Sequence, residues 1–284
     1  CAISPVTGCT HCCTVAAAAL QPRLPATPEP PMTAKHGWAF CLALAASVLP
    51  PHAAAEQRSL SQDWRFQRGD AKGADVAAYD DRSWRQVSVP HDWSIEDKPD
   101  GSPPFDRDAV SGQDSGYLPG GVGWYRRHLA LSAQDATRTV LVRFEAIYMD
   151  ADVWINGQHV SKHHYGYSAF TVDLTGKLHA GDNVLAIRVD HADPSSRWYA
   201  GSGLIRPAAL ELLPPVHIEP DSVQVVTPSV GAAASRVEAH LEVANGSRRS
   251  QPVEVSTRIL SPDGSVVARN DHKTTLAPGA KVAD

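Results

Sequence analysis

The sequence predicts an all-β chain: a jelly-roll β-sandwich followed by a partial immunoglobulin-like β-sandwich. Three observations carry this expectation. Short runs alternate apolar and polar residues at period two, as half-buried strands require. Gly, Pro and Asn-Gly turns break those runs at close intervals. No stretch of helical length shows a 3.6-residue period. The chain of 284 residues is 43% hydrophobic and 20% charged, enough apolar side chain for a real core. Its net charge of −5 gives no basic footprint, so no nucleic acid partner is expected.

Residues 1–31 are rich in Ala, Pro, Thr and Cys without period, and read as an upstream non-structural segment. Met32 opens a short run carrying Lys35 and His36, and an apolar stretch follows from Gly37 to Leu49. The small-residue run Ala53-Ala54-Ala55 closes it. Residues 32–55 thus have the pattern of a secretory signal peptide, too short for a stable membrane anchor. Cleavage after Ala55 would leave Glu56 first and place the mature protein in the periplasm or outside the cell. All five cysteines (Cys1, Cys9, Cys12, Cys13 and Cys41) precede that point. Cys9, His11, Cys12 and Cys13 resemble metal ligands only superficially, because adjacent cysteines without a second ligand pair make a poor tetrahedral site. No metal and no cofactor are expected.

Residues 56–214 are expected to form the first sandwich. Val140, Val142 and Phe144 share one face of a run over 138–145. Ala151, Val153 and Ile155 share a face opposite Asp152 and Trp154. Asn156-Gly157 then supplies the dipeptide that best tolerates positive φ in a two-residue hairpin turn, with Gln158-His159-Val160 beginning the return strand. Phe170, Val172 and Leu174 alternate again, as does Asn183 to Val189. Residues 95–122 differ: Pro99, Pro103, Pro104 and Pro119 lie among many Gly, Asp and Ser residues. A long insert of this kind inside a domain reads as an ordered loop crossing a rim. Trp64, Trp84, Trp124 and Trp154 read as core anchors.

Pro214-Pro215 marks a boundary, and residues 215–284 are expected to form an incomplete immunoglobulin-like sandwich. Val237, Ala239, Leu241 and Val243 alternate strictly with charged or polar neighbours. Val253, Val255, Thr257 and Ile259 repeat the pattern before a Ser-Pro-Asp-Gly turn at 261–264. Such a domain takes roughly 100 residues, so at least one closing strand is expected to be missing, leaving an exposed edge.

Several motifs bear on function. Val89-Pro90-His91-Asp92-Trp93, Tyr117-Leu118-Pro119-Gly120-Gly121-Val122-Gly123-Trp124-Tyr125-Arg126, the 146–157 run and the 197–206 run follow one another in order. Together they resemble glycoside hydrolase family 2, especially its bacterial β-galactosidase branch, over about residues 58–284. The family has an N-terminal jelly-roll (galactose-binding-like) sugar-binding domain, an immunoglobulin-like domain and a (β/α)₈ barrel carrying both catalytic glutamates. The resemblance covers the first domain and most of the second. It departs after Arg206, where Pro207-Ala208-Ala209-Leu210 replaces the usual continuation.

The resemblance implies a carbohydrate substrate of β-galactoside type, retaining hydrolysis by two glutamates about 5 Å apart, and a C-terminal catalytic barrel beyond this chain. No catalytic residue is assigned here, and the fragment alone is expected to be inactive. Glu145, Glu211, Glu219, Glu238, Glu242 and Glu254 read as members of solvated strand faces. Asp150 and Asp152 read as surface carboxylates. Asp92 matches a position where the family places an Asn or Asp near sugar hydroxyls, and a carboxylate accepts bidentate hydrogen bonds from vicinal hydroxyls. The plainer reading of Asp92 is a turn or cap residue. Arg197, Trp198 and Tyr199 match a second rim loop, with Arg197 suited to hydroxyls and Trp198 to packing. Ser196 stands where some relatives have a sodium-binding Asp, so no sodium site is carried over. His163 and His164 should point to opposite faces of a strand. A stand-alone secreted carbohydrate-binding module and a purely structural or adhesive sandwich remain as rival readings. Homo-oligomerisation of a full-length form stays open.

Overall fold

The computed structural model describes residues 14–15, 55–194 and 200–283. It falls into two compact units, Ala53–Pro214 and a unit formed by Pro215–Asp284 with Cys1–His52. Strands are numbered along the chain, and β1 (Thr14–Val15) belongs to the second of these.

The first unit contains β2 (Glu56–Ser59), β3 (Trp64–Arg68), β4 (Arg85–Val87), β5 (Gly121–Leu131), β6 (Thr139–Phe144), β7 (Asp150–Ile155), β8 (Gln158–His163), β9 (Phe170–Asp173), β10 (Gly181–His191) and β11 (Ala208–Leu213). They form a six-stranded sheet in the order β4-β3-β5-β10-β7-β8 and a four-stranded sheet in the order β2-β11-β6-β9. All pairings are antiparallel.

The alternation seen in sequence sets the register. Ala151, Val153 and Ile155 of β7 are fully buried and join Leu185, Ile187 and Val189 of β10 in one core. Val140, Val142 and Phe144 of β6 supply the facing sheet, with Val172, Leu210 and Leu212 beside them. At the β7–β8 hairpin, Asn156 and Gly157 have φ of 52° and 83°, the paired positive values a type I′ turn needs. After Arg206 the chain still enters a strand, with Leu210 opposite Val142 and Arg58.

From Gly123 to Arg126, strand β5 is buried on both faces, because the loop from Asp70 to Trp84 folds over the outside of the six-stranded sheet. Trp84 and Trp124 therefore pack in a separate cluster with Ala74, away from the sandwich core that holds Trp64. Arg126 is completely buried beneath this loop. Its Nε donates to Asp81 Oδ2 at 2.8 Å, Nη1 to the carbonyls of Ala74 and Val76, and Nη2 to that of Ala77.

The second unit contains β12 (Val216–Ile218), β13 (Gln224–Ser229), β14 (Arg236–His240), β15 (Glu242–Asn245), β16 (Gln251–Leu260), β17 (Val266–Leu276) and β18 (Lys281–Ala283). The run from Val237 to Val243, which the alternation predicts as one strand, is divided at Leu241: β14 pairs with β13, whereas β15 pairs with β12 and β18. The N–H of Glu242 turns aside to Ser222 Oγ and its carbonyl accepts from Glu219. The core is small, built from Leu241, Val243, Val253, Val255 and Leu276.

The expectation that residues 1–31 stand wholly apart from the fold needs one correction. Thr14 and Val15 pair with Leu260 and Ile259, on the side of β16 away from β17, where strand backbone would otherwise stay unpaired. The remaining residues of 1–31, the signal segment 32–54 and the Cys9–Cys13 cluster lie outside the described residues.

Candidate functional site

The short segment His91–Ile95 leaves β4 and crosses one end of the sandwich, where it meets the loop 200–204. Trp93–Ile95 is a single 3₁₀ turn capped by Asp92, whose Oδ1 accepts from the Ser94 N–H at 3.0 Å. The same oxygen accepts from the Ser202 N–H at 3.0 Å. Backbone bonds run parallel to it, from His91 N–H to Leu204 O and from Trp93 N–H to Ser202 O. Asp92 Oδ2 faces Gly201: a Cβ there would lie 3.3 Å from it.

Two polar chains fasten this contact, the first running from the exposed Arg85 into the buried His91 and Tyr125. In the first, Arg85 donates to Glu96 through both terminal nitrogens, Glu96 Oε1 lies 2.9 Å from His91 Nε2, and His91 Nδ1 lies 2.6 Å from the Tyr125 hydroxyl. The Glu96 carboxylate can only accept, so His91 carries its proton at Nε2 toward Glu96, and its Nδ1 accepts from the Tyr125 O–H. Burial lowers the His91 pKa despite Glu96 beside it, and raises that of Tyr125, so both stay neutral near pH 7.

In the second chain, the Ser94 hydroxyl donates to Pro119 O at 2.6 Å, Ser202 Oγ contacts Ser94 Oγ, and His191 Nδ1 lies 2.6 Å from Ser202 Oγ. The proton order follows from the terminal carbonyl: Ser202 must donate to Ser94, and His191 Nδ1–H to Ser202. His191 Nε2 is then a bare lone pair, buried and without a hydrogen-bond partner. Burial lowers the His191 pKa, against the opposing pull of Asp193 and Asp92.

The long segment 95–120 is tied across the same rim. Ser111 Oγ donates to Asp193 Oδ1 at 2.8 Å, and Asp106 N–H donates to Tyr117 O. A Cβ at Gly120 would fall 2.8 Å from the His191 carbonyl oxygen as well as against Asp193, so only glycine admits this approach.

Asp92 thus lies on the rim, and its Oδ1 acts as the cap that the plainer reading anticipated. Arg197, Trp198 and Tyr199 lie outside the described residues, and Ala200 and Ser202 immediately follow them. Asp150 and Asp152 engage His164 and His159. His163 turns instead to the Tyr165 carbonyl and Ser168. Sequence reasoning missed His91, Ser94, Tyr125, His191 and Ser202. The one signal was the polar flank of Trp93, with His91, Asp92 and Ser94 around a single aromatic. Among the described residues no group of three or more metal-ligating side chains occurs, and no helix is long and apolar enough to cross a membrane.

The fold and rim define a two-sheet antiparallel β-sandwich domain with a carboxylate at one edge. The model of the glycosyl hydrolases family 2 sugar-binding domain matches residues 57–206, more than half of the chain. The chain belongs to glycoside hydrolase family 2.

It is 34% identical over 229 residues to the β-galactosidase BoGH2A of Bacteroides ovatus, covering 80% of this chain and 26% of that protein. It is 31% identical to a putative β-glucuronidase of Formosa agariphila, covering 78% of this chain and 21% of that protein. Among solved structures, a family 2 member from Bacteroides cellulosilyticus aligns with a TM-score of 0.72 at 36% identity, over 80% of this chain and 30% of that one. A Bacteroides uniformis β-glucuronidase aligns with a TM-score of 0.71 at 26% identity, over 81% and 27%. The chain therefore spans a fifth to a third of the length of these relatives.

Proposed function

We propose that this chain is the N-terminal part of an exported family 2 glycoside hydrolase that cleaves β-galactosides with retention of configuration. In this reading the rim helps to form the sugar subsite, and the acid/base and nucleophile come from a following (β/α)₈ barrel. The observation that carries it is the Asp92 carboxylate clasping Ser202, at the exit of the segment that holds Arg197, Trp198 and Tyr199. A fixed carboxylate suits sugar hydroxyls, and the residue types of Arg197, Trp198 and Tyr199, just upstream in sequence, suit hydroxyls and the apolar face of a pyranose. BoGH2A, a β-galactosidase, favours the galactoside over the glucuronide. Export rests on the signal pattern of residues 32–55.

The experiment compares two preparations on aryl β-galactosides and aryl β-glucuronides. One is the complete reading frame that contains this chain; the other is residues 56–284 alone. The expected result is hydrolysis of the galactoside by the first and none by the second. Activity of residues 56–284 alone would overturn the division of labour. A complete reading frame that ends without a barrel, while the chain binds sugar, would favour the carbohydrate-binding module. Preference for the glucuronide would replace the substrate but keep the scaffold.

A further inference from the structure

Three tyrosines make a continuous ring series that climbs from the buried rim to solvent. The Tyr148 ring packs edge-on against His191 at 5.0 Å between centroids, and against Tyr167 at 5.2 Å. Tyr167 in turn meets Tyr165 at 5.9 Å and 72°. Tyr148 is 6% exposed, Tyr167 51% and Tyr165 61%.

The series is fixed to the loop that Asp92 clasps. Tyr148 and Gly203 exchange both backbone hydrogen bonds at 2.9 Å, and the Tyr167 hydroxyl donates to Ala200 O at 3.4 Å. Gly166 lies directly against the Tyr148 ring, where a Cβ would fall 2.1 Å from Cδ2. The turn is held from its other side as well. His163 Nε2 lies 2.7 Å from Tyr165 O and 3.1 Å from Ser168 Oγ, while its ring stacks on Phe170 at 4.1 Å. The outer rings are thus presented by a fastened turn, which reduces the ordering cost of any ligand they receive.

We propose that Tyr165 and Tyr167 form a stacking shelf for a second pyranose, the ring that follows the sugar held at the Asp92 rim. The proposal rests on the reading that the rim takes sugar, and it extends that site from one ring to an oligosaccharide. A pyranose offers an apolar C–H face and a periphery of hydroxyls. A half-exposed tyrosine offers a negative π-face with a polar end, so the two surfaces match in character. The shelf also explains why two large rings stay exposed on a segment this firmly tied.

The test is calorimetry and saturation-transfer NMR on the 284-residue chain. The probes are galactose, glucuronic acid, and β-linked di- and trisaccharides ending in each. Tyr165→Ala is the main variant because its ring is the most exposed of the three; Tyr165→Phe keeps the stacking face, and thermal unfolding checks that neither variant disturbs the fold. We expect Tyr165→Ala to weaken the oligosaccharides about three- to tenfold. Tyr165→Phe should restore most of that loss, and monosaccharide affinity should not change. Saturation transfer should reach the second ring in the unsubstituted chain and vanish from it in Tyr165→Ala. If monosaccharide binds and Tyr165→Ala takes oligosaccharides as tightly as the parent, the shelf is wrong and the rim reading stands. If the parent chain binds no sugar of either length, the same comparison is made on the complete reading frame, where equal oligosaccharide affinity of parent and Tyr165→Ala overturns the shelf and loss in Tyr165→Ala alone supports it.

Discussion

The Asp92 carboxylate and the Ser202 N–H lie 3.0 Å apart, although 110 positions separate them in the chain. One oxygen caps the start of the 3₁₀ turn at Trp93 and also pins the 200–204 loop, so substituting Asp92 should act on both elements at once. Asp92→Ala leaves two backbone donors without their charged acceptor, and should cost about 2 kcal/mol in urea denaturation. Asp92→Asn keeps a carbonyl oxygen in place and should cost clearly less. A stability unchanged in Asp92→Ala would show that the clasp contributes nothing to the fold.

Gly203 makes a sharper test of the same region. Its φ is +110°, a Cβ would fall 2.1 Å from the Tyr125 hydroxyl, and Trp93 lies 3.0 Å from the same point. Neither ring can withdraw, since both are buried in the core. Gly203→Ala combines backbone strain with overpacking and should lose about 3 kcal/mol or more. Near-ultraviolet circular dichroism should change as well, because Tyr125 and Trp93 both border the site.

Much of the sandwich was legible because burial on one face writes itself as period two. Ala151, Val153 and Ile155 on β7, and the Asn156-Gly157 turn after them, required nothing beyond local pattern. β5 resisted that reading. From Gly123 to Arg126 every residue is buried, since the 70–84 loop covers the face that alternation assigns to water. The rim was legible only in part. Asp92 was legible through the resemblance that the Val89–Trp93 segment carries, but its partner lies on a distant loop. Isolated serines and histidines such as Ser94, Ser202 and His191 carry no spacing that reveals a shared hydrogen-bond chain. The split of 236–245 into two strands was hidden for a related reason, because the diverting partner Ser222 comes from outside the run.

The buried face of β5 yields a third prediction. Among the described residues Arg126 is the one guanidinium in the set of largest fully buried side chains, and it holds Asp81 and the carbonyls of Ala74, Val76 and Ala77. Arg126→Met removes the nearest cation from a buried carboxylate, leaving it Arg65 at 3.4 Å and His128 at 3.3 Å, and should destabilise the unit by about 3 kcal/mol. Lysine should not rescue it, because one ammonium cannot reproduce the fork of donors. Adding Asp81→Asn to Arg126→Met removes the stranded charge, so the double variant should be more stable than the two single losses summed. Strict additivity in that double-mutant cycle would mean that the ion pair is not the coupling element.

Two of the buried histidines, His91 and His191, contribute to the acid limb of stability. Burial is the largest influence on both His91 and His191, and it holds each pKa below 6.5. The sign follows from proton counting. Below about pH 6.5 the unfolded chain protonates both imidazoles while the folded chain does not. The stability they contribute is therefore present above that value and is lost as pH falls toward their lowered folded pKa values. Glu96 and Asp135, also lowered in the fold, lose their contribution only further down, below about pH 4.5 and 3.8. The two windows separate the causes. Urea denaturation at pH 7.5 and at pH 5.5 should show a stability loss in the parent chain, and His191→Asn should show a smaller one. Asparagine preserves a donor toward Ser202 without a group that titrates, so its own stability at pH 7.5 should fall only modestly. An equal pH dependence in parent and variant would assign the loss to other groups and remove His191 from this account.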